Sequence, residues 1–363
     1  MPTTASTTGR ADRLAELLPA RELDALLVTN LVNVRYLTGY TGSNGLAVVG
    51  ERVRRFVTDF RYVTQAQDQV HGFDRVIGET DLLDQVATGL PDGPLRLGFD
   101  DQTLSVRTHR RLRELLPERV DLVPAGGLVE ELRLVKDAAE VAQVRAAAVL
   151  ADEAVRTVVM EGGLIGRTER EVALAIEHEM QRLGAQAAGF PTIVAHAGHG
   201  ALPHATPREV KIAAGSLVVV DWGAELDGYF SDCTRTYAAG EVDAQAREVY
   251  ELVRTAQLAG LAAVGPGVTA RDADAAARDL IEAAGHGERF GHSLGHGVGM
   301  EIHEGPRLSK QSTATLAPGY IVTVEPGVYL PDVLGVRIED LVLVTDNGHE
   351  VLSGLPKDLT DVG

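Results

Sequence analysis

The C-terminal part of this chain repeatedly sets an acidic residue inside an apolar, strand-forming run, and this pattern constrains the fold more than any other feature. Leu217–Thr236 reads LVVVDWGAELDGYFSDCTRT, Ile321–Tyr329 reads IVTVEPGVY and Val336–Asp340 reads VRIED. In the first run Asp227-Gly228 is a favoured two-residue hairpin turn, because both residues tolerate positive φ. A turn centred there sets Asp221 opposite Thr234 and Asp232 opposite Gly223. Side chains alternate with a period of two, so Asp221 and Asp232 then project from one face as diagonal neighbours. A slip of one residue separates them. Two carboxylates that close cannot both ionise without a compensating cation. The alternative is that one faces solvent and the other caps a turn.

Phe290–His303 (FGHSLGHGVGMEIH) contributes three histidines, His292, His296 and His303. His292 and His296 are spaced for one helix face, but Gly295, Gly297 and Gly299 oppose a stable helix and imply extended or irregular backbone. A phosphate-cradling role for these glycines is disfavoured. No Lys-Ser/Thr follows them, and 52 acidic against 34 basic residues leave a net charge of −18. In the third run Thr323 and Glu325 share a strand face that Pro326-Gly327 ends. In the fourth, Arg337 and Glu339 share a face opposite Val336 and Ile338. Each of these charged faces, taken alone, could be the solvated side of an edge strand.

Taken together, Asp221, Asp232, His296, Glu325 and Glu339 make four carboxylates and one imidazole. Such a donor set suits Mn²⁺, Co²⁺ or Zn²⁺ rather than a thiolate metal, with Mn²⁺ favoured because oxygen donors dominate. Four negative charges balance two divalent cations, and a metal pair roughly 3.5–4 Å apart is a recognised hydrolytic device.

The rest of the chain frames this site. A length of 363 residues suggests two domains. The first third alternates helix-like segments (Ala11–Leu18, Asp81–Gly89, Ser105–Leu116) with strand-like ones (Ala25–Thr29, Leu46–Val49, Arg54–Thr58), the pattern of a three-layer α/β domain. Pro and Gly interrupt it around Leu122–Gly127, placing a boundary that gives domains 1–124 and 125–363. Helical periodicity follows from Val141 to about Gly162, from Thr168 with Glu171 as a capping box, over Ala244–Ala263 and over Ala270–Ala284. Tyr229–Tyr237, Tyr320–Val324 and Val336–Val344 read as strands, so this domain is α+β. The single cysteine, Cys233, excludes an intramolecular disulfide framework and a multi-cysteine zinc site, and fits a reducing cytoplasm. Residues 1–9 (MPTTASTTG) show no secretory pattern, and no apolar run approaches a membrane span. The acidic balance argues against nucleic acid as a partner.

These residues resemble the pita-bread metallopeptidases, specifically the Xaa-Pro branch of prolidase and aminopeptidase P. The hairpin aspartates, HSLGHGVGMEIHE, VEPGVY and GVRIED carry the likeness, with NVRYLTGYTGSNG and VEELRLVKDAAEV similar to the branch's N-terminal domain and interdomain segment. The resemblance implies a pita-bread domain preceded by a creatinase/prolidase-like α/β domain. It implies Asp221 on one metal, His296 and Glu325 on the other, Asp232 and Glu339 bridging, and a bridging hydroxide as nucleophile. Glu325 would shuttle the proton and His303 would steady the substrate oxyanion. His204, in LPHATP, and His292 would line the proline side, Tyr329 would lie near the site, and Arg337 would fix ligand geometry or the bound peptide. Arg307 would clamp the free carboxylate of a dipeptide, which tilts the reading towards Xaa-Pro dipeptidase over aminopeptidase P. Short proline-containing peptides and a homodimer are the expected partners. His196 and His199 have no counterpart and read as ordinary surface or loop histidines. Methionine aminopeptidase, creatinase and non-catalytic proteins of the same fold are the competing readings. The Arg337-Ile338-Glu339 setting and the N-terminal domain oppose the first, and the intact ligand set opposes the other two.

Overall fold

A computed structural model describes residues 7–79 and 81–363. Residues 1–6, most of the polar opening segment, lie outside the described residues. The chain divides into two compact units, the first ending at Arg133 and the second running from Leu134 to Gly363. The division falls beyond the Pro–Gly break at 122–127 because the helix after that break is tied to the first unit. There Asn33 Nδ2 donates to Glu130 Oε1 at 2.6 Å, and Arg133 Nη1 donates to Asn33 Oδ1 at 2.8 Å.

The first unit is built on a mixed six-stranded sheet of β1 (Ala25–Val28), β2 (Leu46–Gly50), β3 (Val53–Asp59), β4 (Asp74–Gly78), β5 (Leu95–Phe99) and β6 (Val120–Pro124), in the order β4-β3-β2-β1-β5-β6. β1 pairs antiparallel with β2 and parallel with β5. Every residue of β1 and β2 is buried, as strands covered on both faces must be. The helices are α1 (Thr7–Leu17), α2 (Leu31–Thr38), α3 (Val63–Gln69), α4 (Val106–Leu115) and α5 (Leu128–Leu134). Their boundaries follow local chemistry: Asn30 and Ser105 accept backbone N–H bonds at the starts of α2 and α4, and Gly39 closes α2 at φ 78°. The helix expected over Asp81–Gly89 is only a 3₁₀ turn, Leu82–Gln85, followed by Gly89 at φ 79°.

The second unit contains α6 (Ala138–Val155), α7 (Glu169–Leu183), α8 (Ala244–Ala263) and α9 (Ala270–Ala283). Capping boxes open α6 (Asp137 with Glu140) and α7 (Thr168 with Glu171). Its strands are β7 (Ala187–Ala188), β8 (Ile193–His196), β9 (Ser216–Trp222), β10 (Ala224–Leu226), β11 (Tyr229–Phe230), β12 (Cys233–Ala239), β13 (Gly295–Gly297), β14 (Glu304–Leu308), β15 (Ile321–Val324), β16 (Gly327–Leu330), β17 (Leu334–Arg337), β18 (Asp340–Thr345) and β19 (Gly348–Val351). They form sheets β12-β9-β8, β14-β13-β15-β18-β19, β11-β10-β7 and β16-β17, with antiparallel neighbours throughout. One apolar core gathers Val155, Ile176, Met180, Val220 and Trp222, and a second gathers Val253, Ile281, Leu294, Val322 and Val342. Each such aliphatic side chain contributes about 1.5–3 kcal/mol by leaving water, which fixes the strands that carry the polar groups between them.

Two of the runs expected as continuous strands, 229–237 and 336–344, break where a carboxylate is inserted, whereas β9 runs on through Asp221 and β15 ends at Val324 as expected. The ladder stops at 231–232, at 325–326 and at 338–339, so Asp232, Glu325 and Glu339 each sit in an interruption. Pro326 explains one break, since it has no N–H for a ladder.

Candidate metal centre

Hairpin register brings the first two carboxylates together. Asp221 pairs with Thr234, with Asp227 and Gly228 at positive φ (50° and 76°) in the turn. The short strand β13 supplies His296, and its two glycines permit an approach no other residue would. A Cβ on Gly295 would collide with the Thr323 carbonyl, and one on Gly297 with the Gly305 carbonyl. This confirms extended rather than helical backbone around His296.

Asp232, His296 and Glu339 offer ligand atoms that all lie within 4.8 Å of one another, and all three residues are buried. His296 Nε2 stands 3.5 Å from Asp232 Oδ2 and 3.5 Å from Glu325 Oε1. Its Nδ1 lies 3.0 Å from the Gly297 carbonyl, a contact that places the proton there and leaves the Nε2 lone pair facing the carboxylates. Asp221 flanks the group, held by Arg337 Nη2 at 2.7 Å through Oδ2. Its Oδ1 is buried with no hydrogen-bond partner.

The electrostatics are those of a site short of positive charge. Burial, and then the charges of Glu339, Asp221 and Glu325, raise the Asp232 carboxyl far above its ordinary range. Burial, followed by Glu325 and Asp221, does the same to Glu339. Burial, opposed in part by Arg337 and reinforced by Asp221, pushes Glu325 up to about 8. Burial lowers His296 to about 4, which keeps its imidazole neutral and able to ligate. Of the four carboxylates only Asp221 is ion-paired to an arginine, one carboxylate oxygen is orphaned, and the imidazole offers a lone pair. This donor set fits divalent cations.

Two threonines to which the sequence assigned no role, Thr234 and Thr323, hold the cluster in shape. Thr234 Oγ1 donates to Glu339 Oε2 at 2.7 Å and accepts from Arg337 Nε at 3.1 Å. Thr323 Oγ1 accepts from the His296 N–H at 3.1 Å and donates to Glu325 Oε1 at 3.3 Å. The strand alternation that put Thr323 and Glu325 on one face was the available signal.

A cleft of about 410 Å³ opens onto the cluster, and His204, His292, His303 and Arg307 line it beside the candidate ligands. His303 packs against His296 with ring centroids 4.4 Å apart. Burial, then Arg307, lowers the His303 pKa, so its imidazole is neutral at neutral pH. His292 Nδ1 lies 2.8 Å from the Ser293 carbonyl and Nε2 lies 2.9 Å from the Tyr329 hydroxyl. Arg337 Nη1 donates in turn to that hydroxyl at 3.0 Å, which links Tyr329 to the centre. The His292 segment is clamped from α9: Arg278 donates to the carbonyls of Phe290 (2.9 Å) and His292 (2.7 Å), and Asp274 accepts from Leu294 N.

His196 and His199 depart from expectation. Neither is an ordinary surface histidine; their side chains are 9% and 7% exposed, and both face the buried carboxylate of Glu169.

Comparison with known proteins accounts for both units. Residues 10–135 match the creatinase/prolidase N-terminal domain, and residues 142–346 match metallopeptidase family M24. An uncharacterized peptidase of Bacillus subtilis is 41% identical over 353 residues, covering 96% of this chain and 99% of its own. The structure of an Xaa-Pro dipeptidase from Bacillus anthracis superposes with a TM-score of 0.94 at 39% identity, over 98% of this chain and 99% of that one. An X-Pro aminopeptidase from Thermotoga maritima gives 0.88 at 31% identity, over 97% and 100%. With both of its units matched in order and the pita-bread domain carrying the carboxylate cluster, the chain belongs to metallopeptidase family M24.

Proposed function

We propose that this metallopeptidase hydrolyses the Xaa-Pro bond of short peptides, dipeptides in preference, with two divalent cations, Mn²⁺ foremost, at the carboxylate cluster. The observation that carries the reading is the convergence of four carboxylates, Asp221, Asp232, Glu325 and Glu339, of which Asp221 alone is ion-paired to an arginine, beside the His296 lone pair. Asp221 would hold one cation, His296 and Glu325 the other, with Asp232 and Glu339 shared between them. When bound, such a pair supplies an activated water and polarises the scissile carbonyl.

The chain's own residues supply the rest. Glu325 would take a proton at its carboxylate and return it to the leaving proline nitrogen. His303, a neutral imidazole at the cleft, donates its N–H to the oxyanion that forms on the substrate carbonyl. An Xaa-Pro bond has no N–H, so the leaving residue is recognised by shape instead. His204 and His292 wall that side. Both His292 ring nitrogens are already engaged, so it meets the ring of proline with its face. Arg307 lines the cleft exposed, with no ion pair or hydrogen bond among the described residues, and its fork suits the free carboxylate of a dipeptide. The buried, unpaired Cys233 suits a reducing cytoplasm, and no described helix is long and apolar enough to cross a membrane. A homodimer is the expected assembly, to be checked by light scattering.

Hydrolysis of an Xaa-Pro dipeptide against the same peptide extended by one residue, in excess Mn²⁺, tests the reading. Faster turnover of the dipeptide supports a dipeptidase with Arg307 as its carboxylate clamp. Preference for the longer peptide makes the enzyme an aminopeptidase P. Cleavage of neither removes the Xaa-Pro assignment.

A further inference from the structure

Glu169, the first residue of α7, is fully buried and stands apart from the metal centre. One carboxylate there receives donors from both ends of a single segment. At the near end, Oε1 accepts from His196 N at 3.1 Å and lies 2.8 Å from His196 Nδ1, while Oε2 lies 2.9 Å from His199 Nδ1. At the far end, Oε2 accepts from Arg208 N (3.0 Å) and Nε (3.1 Å), and Oε1 from Arg208 Nη2 (3.1 Å). Burial alone would raise this carboxyl; the Arg208 and His196 bonds outweigh it and hold the group at about 2. The guanidinium already balances the charge and both Nδ1 atoms face the carboxylate, so the cluster needs no metal.

Between those ends runs the stretch that lines the cleft: Pro203, His204, Ala205, Thr206 and Pro207. Its other supports are the β8–β9 ladder at His196, the Arg170 N–H bond to the Arg208 carbonyl (3.1 Å), backbone packing and a bond from Arg337. A Cβ on Gly335 would collide with the Gly200 carbonyl, and one on Gly198 would lie 2.6 Å from the Asp332 carbonyl. Arg337 Nη1 donates to the Pro203 carbonyl at 3.1 Å. The segment is therefore a loop pinned at both ends by one side chain and seated in the middle on the β16–β17 hairpin.

We propose that Glu169 is a positioning residue for the substrate side of the cleft: by tying residues 196 and 208 to α7, it sets where His204 stands against the bound peptide. This rests on the reading of His204 as a substrate-side group, and two readouts separate the claims. In the metal-loaded full chain, Glu169→Ala should speed amide exchange across 197–207 about tenfold while β9 keeps its protection and metal content is unchanged. Unchanged exchange in that segment, or loss of metal, overturns the proposal. For Xaa-Pro hydrolysis the same variant should lose about tenfold in kcat/KM, chiefly through KM, yet less than about twofold more when introduced into His204→Ala. Losses that multiply in the double variant also overturn it. A His204→Ala enzyme with normal kinetics would instead remove His204 from the substrate side, and the exchange result would then decide the positioning claim. Should Glu169→Ala fail to fold, Arg208→Ala releases only the far end. Faster exchange confined to 204–207 supports the proposal, and none overturns it.

Discussion

Glu339 and Asp340 are adjacent, both buried, and in opposite electrostatic circumstances. Glu339 turns toward Asp221, Asp232 and Glu325, with a threonine hydroxyl as its hydrogen-bond donor and its pKa raised. Asp340 turns the other way, where it accepts from Arg235 Nη2 (2.8 Å), Gln257 Nε2 (2.9 Å) and Lys357 Nζ. Burial would raise Asp340 as well, but Arg235 and Lys357 reverse the sign and hold it below its ordinary value. The same kind of acid is thus structural where the chain supplies its cations and functional where it leaves them out. A buried carboxylate is not informative by itself; the missing partner is.

The contrast can be broken from either side, and the largest effect belongs to the cation-poor one. Glu339→Gln should abolish metal retention, measured by elemental analysis, and lower kcat/KM by at least about 10³-fold. The metal-free variant should be no less stable than the metal-free parent, because a repulsion has been removed. Asp340→Ala should do the reverse. It strands Arg235, whose side chain is 2% exposed, and should cost about 3–5 kcal/mol in urea unfolding. If it left stability intact while removing the metal, the two acids would not differ as described.

The satisfied carboxylates also predict a pH response. Glu169 sits at about 2 in the folded chain against an ordinary 4.5, so its contribution is complete above pH 4.5 and is lost as pH falls towards 2. Unfolding free energies measured across that window should decline, and the decline should be shallower in Glu169→Ala. An equal slope in both would mean the folded carboxyl is not depressed. The smallest effect concerns the two arginines: Arg235 is buried and paired, Arg307 exposed and unpaired. Arg307→Ala should raise KM for an Xaa-Pro dipeptide several-fold, about 1 kcal/mol, more than for the tripeptide, with no loss of stability. Equal effects on both peptides would leave no reason to favour a dipeptidase.

What the sequence made legible follows the range of the interactions. The Asp227-Gly228 turn fixes a local register, and from it the Asp221–Thr234 pairing could be read. The glycines flanking His296 signalled extended backbone, and the Thr168–Glu171 capping box marked the start of α7. The breaks at Asp232 and Glu339 were hidden, because β propensity runs straight through them and the interruption arises from partners elsewhere in the fold. Glu169 sits inside that same capping box and looks like one more acidic residue in a first helical turn. Its donors lie 27 to 39 residues away, beyond any periodicity. For the same reason His196 and His199 read as loop histidines, and Asp340 could not be told from Glu339 without Arg235 and Lys357 in place. Asp81–Gly89 failed differently, through a helix-like composition too short to outlast its closing glycine.

Calorimetric titration of Mn²⁺ into the metal-free full chain tests the central claim most directly. Two ions per chain, with proton release as the raised carboxyls ionise and no binding by Glu339→Gln, is the expected result. Absence of saturable binding by the parent chain, or unchanged binding by that variant, would contradict the account of a centre defined by the cations it lacks.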